Sequence, residues 1–524
     1  MLLNLFKKDL TEKENKREIF FSIIISYITV IANVIISLFY TPFLLKTIGT
    51  NQYGIHSFAI SIVSWLSVVT TALCSGYLKF ATSLGKQDPN GIKKLNGLYF
   101  WFFAIIDVLI LFVGFGLALL FWTGVIPLTN YTSDEKLLVV PCIFLMVINS
   151  FVSIFVTYFS LYESYKERFV WARLITLLQK ILNPAITIPL LLVGGNVITV
   201  CIVQVGITLL NLILLSYHAF HISRMKIKLR YDFKNEKHLT KSVIVFSSFA
   251  LLSSIAVALN QSADQVILGI LSKPTSVAIY QLGLSFVTYL SLFCSAITNS
   301  LSPKLYNSDL ISYQKTNELF LKICNFQMII AFLIVGGFAC CGKEFMILWA
   351  GKENYEAFYI GLMLFAVYLF SFTSTASEVI VKSRGYFKFE ATYYLCEAIT
   401  NIIVSTILVV LLDDKYAIYA CCVTTVAIMI IFRWIGLSIF YQQKVKLPIK
   451  KYYSLILKYF AILFVCLTLS LGVSKLITNR SEIVLFLTKG FIFLVSYSLI
   501  IFILEKKSIT SMLGAMFKRN KIHE

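Results

Sequence analysis

Ten ionisable side chains fall inside long apolar runs of this sequence: Asp107, Arg173, Lys180, Asp264, Glu378, Glu390, Glu397, Arg433, Lys458 and Lys489. Charge in an apolar run is costly, so such groups face a cavity or a partner rather than hydrocarbon. Lys180 is the sharpest case. It lies about nine residues into its run, about 13 Å deep at the helical rise. Arg173 sits two turns earlier on the same face. Asn183 and Pro184 follow, and Pro184 has no N–H to donate, so it frees a backbone carbonyl. This spacing reads as a cationic stripe able to hold an anion. The competing reading is an ion pair with a helix acid, Asp107 or Glu397.

The acids suit a different task. Asn260, Gln261, Asp264 and Gln265 put polar groups along the outer part of one run. Glu378, Glu390 and Glu397 cluster on the pair of runs around residues 356–412. Glu390 is expected near a run's end. Glu397 is deeper and suits proton carriage, and Asp264, Glu378 and Asp107 are further candidates for taking up a coupling ion. Arg433, beside Trp434, is placed to bind an anion or to extend its head to the interface. Lys458 and Lys489 are not expected to line a central cavity. Tyr99, Tyr158, Tyr280, Tyr289, Tyr393 and Tyr394 offer rings for sugars, though most aromatics in such a chain pack against helices.

The elements that carry these groups are about fourteen apolar runs, each long enough to cross a bilayer as a helix. They span 20–45, 53–76, 97–122, 137–161, 171–194, 197–218, 242–270, 276–299, 322–342, 356–381, 387–412, 416–441, 453–474 and 483–504. Hydrophobic residues make up 58% of the 524, and charged residues only 14%, against about 25% in soluble domains. The loops are too short for a separate catalytic domain. The fold class is an all-α integral membrane protein.

A net charge of +20 would suit nucleic acid, but its placement argues otherwise. The 46 Lys and Arg residues gather in alternate loops, among them Lys7, Lys8, Lys13, Lys16 and Arg17, then Arg224 to Lys241, then Lys506 to Lys521. That is the positive-inside pattern, with both termini cytoplasmic and no nucleic-acid partner. The first run follows a basic segment as a signal peptide would. It is too long for one and lacks a small-residue cleavage site, so it reads as a retained helix.

The eleven cysteines sit in or beside the runs, and the adjacent pairs Cys340–Cys341 and Cys421–Cys422 have no metal-ligand spacing. The five histidines are scattered. Nucleophile elbow, phosphate loop and HExxH are all absent, which argues against a hydrolase and an ATP-driven pump. No cofactor is expected.

The chain divides in the sequence as a basic tail at 1–19, a first lobe at 20–218, a basic linker at 219–241, a second lobe at 242–441, two further helices at 442–504 and a basic tail at 505–524. Leu44–Ser61 weakly matches Leu268–Ser285, and Lys166, Phe169 and Asn183 match Arg384, Phe387 and Asn401. Six helices per half keep the copies in one orientation, related about an axis along the membrane normal.

Two segments carry a family resemblance: FYTPFLLKTIGTNQYGIHSFAISI at Phe39–Ile62 and NQSADQVILGILSKPTSVAIYQLGLSF at Asn260–Phe286. They resemble polysaccharide and O-antigen flippases of the MATE-like multidrug/oligosaccharidyl-lipid/polysaccharide exporter superfamily. The resemblance implies a two-lobed V-shaped bundle in the bacterial cytoplasmic membrane, working by alternating access. It implies a polyprenyl-pyrophosphate-linked oligosaccharide as substrate, a proton or sodium gradient as driving force, and a polysaccharide polymerase with chain-length machinery as partners. Lys180, Arg173, Arg433 and Asn183 would then contact substrate, and Asp264, Glu397, Glu378 and Asp107 would couple the ion. The chain departs from the drug-extruding relatives, which often carry an acid in the first helix where this one has Asn33. It departs from lipid II flippases, whose cavity arginines in the first two helices are here replaced by His56, Ser57, Ser61 and Ser64. A drug or cation exporter is the alternative, and a membrane polysaccharide polymerase a weaker one.

Overall fold

The structure is a computed structural model that describes residues 12–85, 89–232, 236–306, 313–475 and 481–517. Lys7, Lys8, Lys234, Lys518, Arg519 and Lys521 lie outside the described residues.

The first helix, α1, runs Glu12–Leu66. Its apolar part, Ile24–Leu66, has 43 residues and would be about 65 Å long if straight, twice a bilayer's hydrocarbon thickness. It is broken at Gly49, where φ is 79° and ψ is 165°. A side chain would clash in that conformation, and glycine adopts it freely. Among the described residues thirteen helices have the length and apolarity to cross a membrane. Counting α1 as two crossings, the second continuing past Ser67 into α2 (Val68–Gly85), restores the fourteen of the sequence.

The chain continues as α3 (Pro89–Trp122), α4 (Ser133–Tyr165), α5 (Phe169–Leu192), α6 (Val197–Tyr217), α7 (Lys237–Leu271) and α8 (Pro274–Tyr306). There follow α9 (Tyr313–Ala350), α10 (Ala357–Thr373), α11 (Thr375–Ser383), α12 (Phe387–Leu411), α13 (Ala417–Met429), α14 (Ser438–Gln443), α15 (Ile449–Ser474) and α16 (Glu482–Phe517). Local sequence signals set several starts. Thr132 accepts from the backbone of Glu135, whose carboxylate accepts from the Thr132 N–H, a capping box that opens α4. Asn196 caps α6 in the same way, and Pro274 opens α8 where its missing N–H costs nothing. The stretch Ile430–Leu437 between α13 and α14 is π-helical, a wider winding often found at functional positions.

Two compact units result: residues 1–278 with 394–402, and residues 279–393 with 403–524. The first holds an aromatic core in which Tyr77 and Tyr99 meet edge to face at 5.0 Å. Tyr158 is fully buried there and donates to the Asn96 carbonyl at 2.9 Å. The basic linker is strapped to α3 of this unit. Asn96 donates to the Lys226 carbonyl at 3.0 Å, Trp101 to that of Leu229 at 2.8 Å, and Lys94 pairs with Glu236 at 2.6 Å. Gly54 lets α1 pass the start of α8, since a Cβ there would lie 1.9 Å from the Pro274 carbonyl oxygen.

In the second unit α15 and α16 pack on α9, and the deeper lysine of each is held in an ion pair. Lys489 pairs with Glu344 at 2.5 Å. Lys458 pairs with Glu505, which also accepts from Asn325 at 2.8 Å. Tyr459 donates to the Asn325 side chain at 2.8 Å. Both lysines therefore tie these helices together.

Candidate functional site

In the first unit, α1, α7 and the 394–402 segment of α12 enclose a buried polar network. Asp264 on α7 is 6% exposed and accepts from Asn401 Nδ2 at 3.2 Å. One turn before Asn401 lies Glu397, fully buried. Asn260, one turn before Asp264, donates to the Tyr394 carbonyl at 3.2 Å. These two rungs set Glu397 at a level between Asn260 and Asp264, so two of the acids singled out in the sequence share one helix pair. Gln265 accepts from Ser61 of α1. Ser262 contacts Ser64 at 3.0 Å and accepts from Trp65 Nε1 at 2.8 Å.

Ser64 also borders a cavity of about 330 Å³ inside the same unit. Its lining is rich in hydroxyls and amides, among them Ser67, Asn149, Ser150, Thr157 and Gln204. Ser67 and Ser150 are hydrogen-bonded at 2.8 Å, and Asn149 accepts from Thr208 at 2.7 Å. His56 Nε2 donates to Gln204 Oε1 at 3.3 Å. The cavity walls carry neutral donors and acceptors, and the acid network meets them at Ser64. Such a site can bind hydroxylated or hydrated groups, and the two acids beside it can take up a cation.

The cations stand apart from those acids. Arg173 and Lys180 are both exposed on α5, and neither makes an ion pair with a described residue. The pairing of Lys180 with Asp107 or Glu397 is therefore not formed. Asn183, one turn on, accepts from Tyr40 and from Thr187, each at 3.3 Å. Pro184 removes the N–H that would bond the carbonyl of Lys180 itself, adding an acceptor at the same level.

The remaining candidates are placed separately. Asp107 is fully buried on α3 with no hydrogen-bond partner on either carboxylate oxygen; it shares a face with Phe103 and Ile110 and makes no bond to the Asp264 network. Glu378 opens α11 in the second unit, near Glu390 and Lys382. Arg433 belongs to the second unit too, within the π-helical stretch, donating to Ser371 at 2.9 Å and lying 6.0 Å from the Tyr368 ring centre. Of the tyrosines, Tyr99, Tyr158 and Tyr280 are buried. Tyr393 donates to the Phe432 carbonyl at 2.9 Å. Those four are packing groups.

Sequence reasoning passed over Asn401, Gln204, Asn149 and Trp65 as site residues. Asn401 had two signals, its match to Asn183 between the two halves and its position four residues after Glu397 on the same helical face. The others are ordinary polar residues whose meeting depends on tertiary packing.

Membrane-length helices define a multi-pass membrane protein, with buried intramembrane acids and a polar internal cavity. The chain belongs to the polysaccharide biosynthesis protein family, whose model matches residues 20–308. Its fold is MATE-like. It resembles the structure titled "Lipid II flippase MurJ, inward closed conformation", with a TM-score of 0.71, 16% identity, and coverage of 94% of this chain and 100% of that one. It also resembles an inward-facing multidrug resistance MATE family transporter of the MOP superfamily, with a TM-score of 0.60, 12% identity, and coverage of 79% and 99%. At such identities the likeness concerns the fold. No curated protein matches the chain by sequence.

Proposed function

We propose that this protein carries polyprenyl-pyrophosphate-linked oligosaccharide units from the cytoplasmic to the outer leaflet of a bacterial cytoplasmic membrane, for assembly of a surface polysaccharide. It acts as an ion-coupled antiporter by alternating access, and catalyses no covalent change. The observation that carries this reading is the pair Arg173 and Lys180. They are unpaired among described residues, within a membrane span of a polysaccharide-biosynthesis family member. A pyrophosphate must leave water as its sugar crosses, and cations at hydrogen-bonding distance offset that desolvation. Asn183 and Arg433 are further substrate contacts. Neutral sugar hydroxyls suit the uncharged lining of the first unit's cavity.

Asp264 and Glu397, on one helix pair, take up the driving proton or sodium ion. Asp107 and Glu378 are further acids for the same task, each acting outside that network. Both termini face the cytoplasm, as the basic loops require. A polymerase and its chain-length partner consume the delivered unit.

The test is complementation of a deletion strain. Lys180→Ala and Arg173→Ala should each lose surface polymer at normal membrane levels, while Lys180→Arg keeps it. Full polymer from both alanine variants contradicts the assignment. The acid pair in a MATE-like fold also favours a second reading, export of organic cations. Drug resistance on overexpression, with normal surface glycan on deletion, would establish that reading instead.

A further inference from the structure

A second cavity, of about 380 Å³, opens in the second unit between the third and fourth turns of α9 and the first two turns of α15. Lys322, Asn325, Lys451 and Ser454 supply its polar lining, and Leu321 and Leu455 its apolar lining. The acceptors near its floor are already engaged: Glu505 is neutralised by Lys458 and bonded by Asn325, and the Asn325 oxygen accepts from Tyr459. Lys322, Lys451 and the Ser454 hydroxyl make no hydrogen bond or ion pair with a described residue. Glu318, one turn before Lys322, is exposed and forms no ion pair with it.

The start of α15 adds to the positive field. Lys450 and Lys451 lie in its first turn, which contains no acid, and Pro448 gives no side-chain cap. A helix N-terminus carries about half a positive charge and favours an anion. Placing two lysines there works against helix stability unless an anion joins them. The free groups are thus two donor-only ammoniums and a hydroxyl that can also donate, suited to an acceptor-only ligand such as a phosphate. Beyond the pocket along α15, on the same helical face as Lys451 and Ser454, Val465 and Leu469 are 46% and 49% exposed, a surface for acyl chains in line with the polar pocket. A free phosphate would leave that apolar path unused.

We infer that this pocket binds the phosphodiester headgroup of an anionic membrane phospholipid. Lys322 and Lys451 hold the phosphate oxygens, Ser454 donates a third bond, and the acyl chains lie along α15. The site lies at the bundle end where α9 and α15 begin, the cytoplasmic side in the topology proposed above. That leaflet's anionic lipids attract basic groups. The inference needs only a membrane-spanning chain and stands apart from the identity of the transported substrate.

The test is native mass spectrometry of the purified full-length protein in detergent, titrated with phosphatidylglycerol and, separately, phosphatidylcholine. Wild type should bind phosphatidylglycerol preferentially. Lys322→Gln and Lys451→Gln should each weaken it about fivefold and together about thirtyfold, the effect of about one lysine-to-surface attraction each. The double arginine variant should retain binding, and Lys415→Gln, an exposed lysine beside Tyr416, should change nothing. Equal binding by the double glutamine variant, loss in the double arginine variant, or displacement of the lipid by millimolar inorganic phosphate would each overturn the assignment.

Discussion

Asn401 Nδ2 reaches Asp264 Oδ1 at 3.2 Å, joining α12 to α7 across 137 positions of sequence. The amide gives the buried carboxylate a neutral partner. An amide bonds the carboxylate without carrying a charge of its own. An acid held this way remains able to take up a proton or metal cation.

Asp264→Asn should keep the fold and lose transport. The replacement has nearly the same shape and can still bond Asn401, but it carries no charge. Asn401→Ala should do the reverse in part. It removes one hydrogen bond from a buried carboxylate, at a cost of about 1–3 kcal/mol, and lowers the unfolding temperature while retaining measurable transport. Thermal unfolding in detergent beside a surface-polymer assay separates the two; full transport by Asp264→Asn would remove that residue from coupling.

The pair Lys489–Glu344 makes a stability prediction that does not depend on transport. Both side chains are largely buried. Glu344→Gln leaves a buried ammonium and should destabilise by about 3–5 kcal/mol. Adding Lys489→Met should recover most of that loss, because no uncompensated charge then remains buried. A double-mutant cycle measures it, and an additive result would contradict the pairing.

Gly54→Ala tests the packing of α1 against the start of α8. The new methyl would meet the Pro274 carbonyl oxygen at 1.9 Å, so backbone must move. A loss of about 1–3 kcal/mol is expected, as for other overpacked contacts. Gly116→Ala, where nothing lies within 4 Å, is the control and should be neutral or slightly stabilising as a helix substitution. Similar unfolding temperatures for both variants would contradict the close crossing.

The membrane class and the number of crossings were legible because an apolar run of bilayer length has few alternative fates in water. Gly49 shows the mechanism at residue scale: the gap between the runs ending at 45 and beginning at 53 proved to be a single glycine with positive φ inside otherwise continuous helix. Lys180, Arg173 and Asp264 stood out because charge in an apolar run is rare. What the sequence left hidden was pairing at a distance. The match of Lys489 with Glu344, or of Ser61 with Gln265, depends on which helix faces touch, and no local pattern encodes that. The linker is the same case. Its basic residues spoke of sidedness, while its attachment to α3 rests on backbone carbonyls at Lys226 and Leu229, which carry no side-chain signature.

The central claim is that this chain moves a lipid-linked oligosaccharide across the membrane. The most direct measurement takes a deletion strain and determines which leaflet holds its lipid-linked oligosaccharide, using an impermeant lectin on spheroplasts and on inverted vesicles. Complete units accumulating on the cytoplasmic face, with surface polymer lost, is the predicted result. Units reaching the outer face, or a surface glycan that stays normal, would contradict it.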